Sequence, residues 1–142
     1  MRLCLLLSIA CLLAACNSVD VQPVSMAGPK PKLVYIVANP EADQIAPELE
    51  SAIDNGLQRH GIGTRLVQAA PVGASDCYLT YLAVSGWDMK PFLKVAEVHL
   101  KRGPKQIGFA HFQAGGGLST AKFDSTPDKV ASMMDQLLAG VR

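Results

Sequence analysis

Among the side chains that commonly take part in catalysis, this chain has four cysteines and three histidines. Cys77 could act as a nucleophile if His60, His99 or His111 supplied a base beside it. Nothing in the sequence places one of these histidines next to Cys77. A lone cysteine at the start of an apolar segment is more typical of a small buried side chain. We therefore predict a structural Cys77 and a chain that is not an enzyme, with an enzyme that uses Cys77 or a histidine as the alternative.

The sequence contains no motif whose residue spacing indicates a metal or nucleotide site. The chain lacks H-x-x-x-H, H-E-x-x-H and paired-cysteine motifs, so we predict no metal site. The segment GGGLSTAK, residues 115–122, has the glycines and the lysine of a phosphate loop. However, Ala121 and Phe123 flank the lysine where that loop needs Gly and then Ser or Thr. The sequence therefore predicts no bound cofactor.

A second cysteine, Cys16, follows an apolar segment at the N-terminus. Arg2 is followed by LCLLLSIACLL, residues 3–13, and then by Ala14 and Ala15. A cation, roughly ten apolar residues and small residues before a cleavage point are typical of a secretory signal peptide. A spanning helix needs about twenty apolar residues. We predict that residues 1–15 form a signal peptide rather than a transmembrane helix.

The tetrad LAAC, residues 13–16, resembles the bacterial lipobox. In that motif the cysteine sulfur receives a diacylglycerol, the chain is cut before the cysteine, and the new amine is acylated. The resemblance implies a lipid on Cys16 and a membrane as its partner. Asn17 rather than Asp follows the cysteine, which implies an outer-membrane address with the domain facing the periplasm.

The charge of the chain argues against a nucleic-acid partner. The full sequence has 13 Lys plus Arg and 12 Asp plus Glu, and cleavage before Cys16 removes Arg2, which leaves 13 − 1 = 12 of each sign. A neutral domain lacks the basic patch of a nucleic-acid binder. We expect a membrane partner and an envelope protein partner instead.

The remaining sequence predicts one domain on a short tether. Residues 16–32 contain the lipidated Cys16 and three prolines without apolar periodicity, which predicts an extended Pro-rich tether. Residues 33–142 are enough for a single domain with one core.

The pattern of apolar residues predicts an α+β fold in the order β-α-β-β-β-β-α. The expected strands are residues 32–40, 62–67, 77–87, 92–101 and 107–112. The first expected helix contains Ile45, Leu49, Ile53 and Leu57 and ends before Gly61, and the second follows the cap Ser125 and ends at Gly140. We expect a single mixed or antiparallel sheet of about five strands, with both helices covering one face.

Four motifs occur along the predicted domain: Trp87-Asp88, I-G-x-A at Ile107, GGG-L at Gly115, and S-T-x-x-K at Ser125. Together they resemble the pattern of a family of small uncharacterised proteobacterial outer-membrane lipoproteins. The resemblance covers about residues 32–138 and implies location and fold without naming a reaction. Two departures are Phe123, where relatives often have Trp, and the absence of a cysteine from the first predicted strand.

The candidate binding surface is the loop between the last strand and the last helix. Loops held between rigid elements commonly carry function. We predict a partner-binding loop that consists of Gly115, Gly116, Gly117, Ser119, Thr120 and Lys122. Phe123 should pack inward. Trp87 and Asp88 should hold their hairpin, with an anchor for a partner as the alternative for Trp87. A non-catalytic binding or accessory role in the cell envelope follows.

Overall fold

A computed structural model describes residues 16–26, 28–41, 44–73, 75–117 and 119–141. The predicted signal peptide, residues 1–15, lies outside the described residues. The strands are β1 Ser18–Gln22, β2 Leu33–Val37, β3 Gly63–Val67, β4 Cys77–Asp88, β5 Lys90–Arg102 and β6 Lys105–Gln113. The helices are α1 Ala46–Arg59 and α2 Thr126–Leu137, and a short 3-10 helix, Thr120–Phe123, precedes α2.

The strands form one mixed sheet in the order β1-β6-β5-β4-β2-β3. β2 runs parallel to β3 and β4, and the remaining neighbours are antiparallel. The predicted α+β fold with two helices is confirmed. The described part of the chain contributes six strands rather than about five, because β1 joins the sheet at its edge.

The prediction of a tether over residues 16–32 is wrong for its first half. β1 pairs with β6, with Val19 opposite Phe112. Val24 is buried, and its N–H donates to the carbonyl of Leu137 at 2.8 Å. The N–H of Ser25 donates to the carbonyl of Ile107. The free edge of β6 supplies hydrogen-bond partners for this segment, so the domain begins near Ser18 and not at residue 33.

Both helices follow the signals in their sequences. Pro47 lies in the first turn of α1, and the chain leaves the helix at Gly61 with a φ of +71°. The Ser125 hydroxyl accepts a hydrogen bond from the N–H of Asp128 at 3.2 Å, which caps α2. The helices contact each other closely, since a Cβ on Gly56 would lie 2.8 Å from the Cβ of Met134.

The helices cover one face of the sheet, and the core lies between the two layers. Its apolar side chains include Val34, Ile36, Leu79, Leu100, Ala110, Leu49, Ile53 and Met133. The opposite face carries Glu97, His99 and Lys101, which are partly exposed as the alternation of β5 predicts. Within the described residues, no helix is long and apolar enough to cross a membrane.

Candidate functional site

The predicted binding loop lies at one end of the sheet together with the β4–β5 turn and the start of β1. Val95 of β5 pairs with Gln113, and Ser18 also pairs with Gln113, so β1 begins where β6 ends. The tight turn at Met89 joins β4 and β5 beyond Val95. We call this region the hairpin end: residues 16–17, 86–92, 113–117 and 119–123.

Asn17 binds the N-terminus of the domain to the loop. Its Oδ1 accepts a hydrogen bond from the N–H of Gly115 at 3.0 Å, and its Nδ2 donates to the carbonyl of Ala121 at 3.2 Å. The preceding residue, Cys16, is exposed. The predicted lipid attachment point therefore lies beside the predicted binding loop.

Lys122 does not present its ammonium group to solvent. The residue is only 7% exposed, and its Nζ donates to the carboxylate of Asp88 and to the carbonyl of Gly117, the latter at 2.8 Å. The predicted partner-binding loop includes Lys122, but its ammonium group is bound within the domain and is not a free donor for a partner. Its alkyl stem is covered by neighbouring atoms, while its charge is neutralised by a carboxylate that remains half-exposed.

A second buried lysine forms a hydrogen bond to the same 3-10 helix. Lys129 of α2 donates from its Nζ to the carbonyl of Lys122 at 2.6 Å. Its ammonium also lies 5.5 Å from the centre of the Phe112 ring, within cation–π range. Burial lowers the pKa of Lys129 from its usual value, although the nearby Asp124 carboxylate opposes this shift. The 3-10 helix is thus attached to both α2 and β6.

Phe123 is half-buried and packs against the hairpin. Its ring meets Phe92 edge-on, with the ring centres 5.9 Å apart. The Nζ of Lys90 lies 4.9 Å from the centre of the same ring. These contacts join the 3-10 helix to the beginning of β5.

The other predicted loop residues are open to solvent to different degrees. Gly116, Gly117 and Thr120 are exposed, while Gly115 and Ser119 are partly covered. Gly117 has a φ of +65°, which favours glycine, and a Cβ there would meet no atom within 4 Å. The geometry therefore leaves the tip of the loop accessible and fixes both of its ends.

Trp87 and Asp88 have different roles. Asp88 forms the ion pair with Lys122, which holds the hairpin as predicted. Trp87 is 76% exposed and Met89 is 91% exposed, so neither side chain contributes much to the core. Met89 has a φ of 63°, which closes the turn. The sequence favoured a structural Trp87, and the exposure of the ring favours a contact outside the domain instead.

Cys77 does not form a pair with His99. Its side chain is buried, and its Sγ accepts a hydrogen bond from the Nε of Arg102 at 3.3 Å. Strand alternation places Cys77 with Leu79 on the covered face and His99 on the open one. Among the described residues, no group of three or more His, Cys, Asp or Glu side chains could hold a metal ion.

Solved structures show where this fold occurs. The PelC dodecamer from Paraburkholderia phytofirmans matches with a TM-score of 0.59 at 15% identity, covering 89% of this chain and 99% of that chain. A single-residue variant of that PelC, also a dodecamer, matches with a TM-score of 0.58 at 16% identity, covering 85% of this chain and 96% of that chain. At these identities the likeness shows the fold alone. Comparison with protein-family models gave no match, and neither did comparison with curated protein sequences.

Proposed function

We propose that this chain is a lipoprotein anchored through Cys16 in the outer membrane, and that its periplasm-facing domain is a non-catalytic binding or accessory component of a cell-envelope assembly. The observation that carries the proposal is the position of Cys16. It is exposed, follows the signal-like residues 1–15, and directly precedes Asn17, whose side chain is bound to the loop at both ends.

The strength of such an anchor follows from the lipid. Each buried methylene contributes about 0.8 kcal/mol, so three long acyl chains supply on the order of 30 kcal/mol before other costs. Attachment would be permanent. Because β1 begins at Ser18 and belongs to the sheet, the domain would lie at the membrane surface and not at the end of a long tether.

We also propose that the domain works as a homo-oligomer. Both PelC structures of this fold are dodecamers. In this chain, β1 and β3 are the outer strands of the sheet, and the edge strand β3 carries Leu66, which is half-exposed. Two different edges can meet head to tail, and such contacts generate closed rings when the rotation between copies allows closure.

Fractionation tests the anchor. The native chain should separate with outer membranes and incorporate a fatty-acid label. Cys16→Ser should block lipidation, leave the signal peptide uncleaved and abolish tight association with outer membranes. A Cys16→Ser protein of normal mature mobility that still floats with outer membranes would refute the proposal.

The mass of the detergent-extracted protein tests the oligomer. Native mass spectrometry should give a multiple of the protomer mass. Leu66→Lys should reduce this mass by placing a charge on the β3 edge, while Val72→Lys, a fully exposed control, should not. A native protein of protomer mass at every concentration would contradict self-association.

A further inference from the structure

We propose that the tip of the β4–β5 hairpin, through Trp87 and Met89, inserts into the interface of the bilayer that holds the lipid on Cys16. This inference rests on the proposed anchor. It assigns a membrane contact to the hairpin end that lipidation alone does not require.

The first observation is the exposure of two large apolar side chains on one turn. Trp87 and Met89 are 76% and 91% exposed, and only Asp88 separates them. Trp has a large apolar ring with one polar N–H, and it is enriched where bilayers meet water. In water these two side chains contribute no favourable burial of apolar surface, whereas at a bilayer they would be buried among lipids.

The second observation is the proximity of this tip to Cys16. Asn17 donates to the carbonyl of Ala121, and the next residue, Lys122, donates to the carboxylate of Asp88. Two side-chain contacts therefore connect the residue after Cys16 with the residue between Trp87 and Met89. Lipid chains on Cys16 would bring the hairpin tip to the same membrane surface.

The third observation is the balance of charge at the tip. The Asp88 carboxylate is paired with Lys122 and so does not leave an uncompensated negative charge beside the apolar residues. Lys90 is exposed, and its ammonium, which lies 4.9 Å from the centre of the Phe123 ring, adds a positive charge beside the turn. The local charges thus suit an anionic membrane surface.

Aromatic side chains other than Trp87 pack at the base of the hairpin. A Cβ on Gly86 would lie 2.5 Å from the Phe92 ring, so that ring occupies the space beside the strand. Phe92 in turn packs against Phe123. Phe92 and Phe123 therefore hold the base of the hairpin against the 3-10 helix, and Trp87 is not part of this contact.

The single tryptophan of the chain makes a direct test possible. The full lipoprotein, purified from envelopes, is reconstituted in vesicles of phosphatidylethanolamine and phosphatidylglycerol. Trp87 emission should shift to shorter wavelength than in the denatured chain, and brominated phospholipids should quench it. The control variant combines Trp87→Leu with Lys105→Trp, which moves the reporter to the opposite end of the sheet, about 40 Å away along β5. Brominated lipids should quench this control several-fold less.

Three outcomes would overturn the inference. Quenching of Trp87 by brominated lipids that is no stronger than quenching of the control reporter means that the tip does not enter the bilayer preferentially. Protection of Trp87 from acrylamide without quenching by brominated lipids means that a protein, such as a second copy, covers it. If the Cys16 peptide from the same sample is not acylated, both the proposed anchor and this inference are wrong. If Cys16 is acylated but Trp87 is not quenched, only this inference is wrong.

Discussion

Lys122 and Asp88, 34 residues apart in the chain, join the glycine-rich loop to the hairpin through an ion pair. Lys122 is buried and Asp88 is half-exposed. The ion pair therefore connects the glycine-rich loop with the Trp87-Asp88 hairpin, two segments that the sequence indicated separately. The exposed apolar residues of the hairpin and the exposed glycines of the loop are not part of this contact.

Lys122→Ala should lower the free energy of unfolding by about 1.5 to 3 kcal/mol, the usual range for hydrogen bonds to charged groups. The variant loses the bonds to Asp88 and to the carbonyl of Gly117. Thr120→Ala, an exposed change in the same 3-10 helix, should stay within about 0.5 kcal/mol. Denaturant unfolding measures both. Equal stability of the two variants would mean that the Lys122 contacts contribute nothing.

If the Lys122 side chain were exposed, replacing Ser119, Thr120 and Lys122 together by Ala would change the free energy of unfolding by less than about 1 kcal/mol, as exposed substitutions do. Burial of Lys122 makes that triple variant unsuitable as a binding test. Ser119→Ala with Thr120→Ala keeps the ion pair and is the better probe of partner capture by the loop.

Val24→Ala should cost about 1 to 3 kcal/mol, because a buried apolar side chain of this size is worth about that much. Val24 lies in the core although it belongs to the segment expected to be a tether. Val72→Ala, at a fully exposed position, serves as the control and should be nearly neutral. If Val24→Ala unfolds at the same denaturant concentration as the native chain, the N-terminal segment is not docked in solution.

Tyr81→Phe should remove a stabilising contribution that depends on pH. The Tyr81 hydroxyl donates to the Glu50 carboxylate and accepts from the N–H of Asn39 at 3.3 Å. Burial, followed by the hydrogen bond to Glu50, raises the pKa of Tyr81 to about 12. Since the folded pKa lies above the unfolded value of about 10, this contribution is complete below pH 10 and is lost as the pH rises towards 12.

The measurement is urea unfolding of both proteins from pH 7 to pH 12. The native chain should be more stable than Tyr81→Phe by about 1 to 2 kcal/mol at pH 7. This difference should shrink above pH 10. A constant difference across the whole range would show that the phenol does not titrate differently in the folded and unfolded states.

Cys77 should react slowly with thiol reagents in the folded protein and rapidly after denaturation, because it is buried on the covered face. Mass spectrometry of the peptide that contains Cys77 measures its labelling separately from any other cysteine. Rapid labelling of the folded protein near neutral pH would instead favour the enzyme alternative.

Much of the fold could be predicted because its elements carry their own local signals. Ser125 and Pro127 define the start of α2, and Gly61 follows α1, so chain-local chemistry sets these boundaries. β1 was missed because SVDVQ has only two apolar residues, and its strand state depends on pairing with the edge of β6. Such pairing is a tertiary property that no short pattern encodes.

The candidate site was predictable in location but not in detail. The loop of residues 115–122 and the Trp87-Asp88 pair were both found, yet their contact was not. A lysine in a polar loop is usually exposed, and the burial of Lys122 depends on the distant Asp88 carboxylate together with the Gly117 carbonyl. The exposure of Trp87 could not be decided from the sequence, because the Trp-Asp pair fits a role in fixing the hairpin as well as a role in anchoring a partner.

The most direct test of the account is the mass of the N-terminal peptide of the mature protein isolated from the envelope. We predict a chain that begins at Cys16 and carries a diacylglycerol on the sulfur and a fatty acyl group on the amine. A mature chain that retains an unmodified Cys16 thiol, or that begins at another residue, would contradict the anchor on which the proposed function depends.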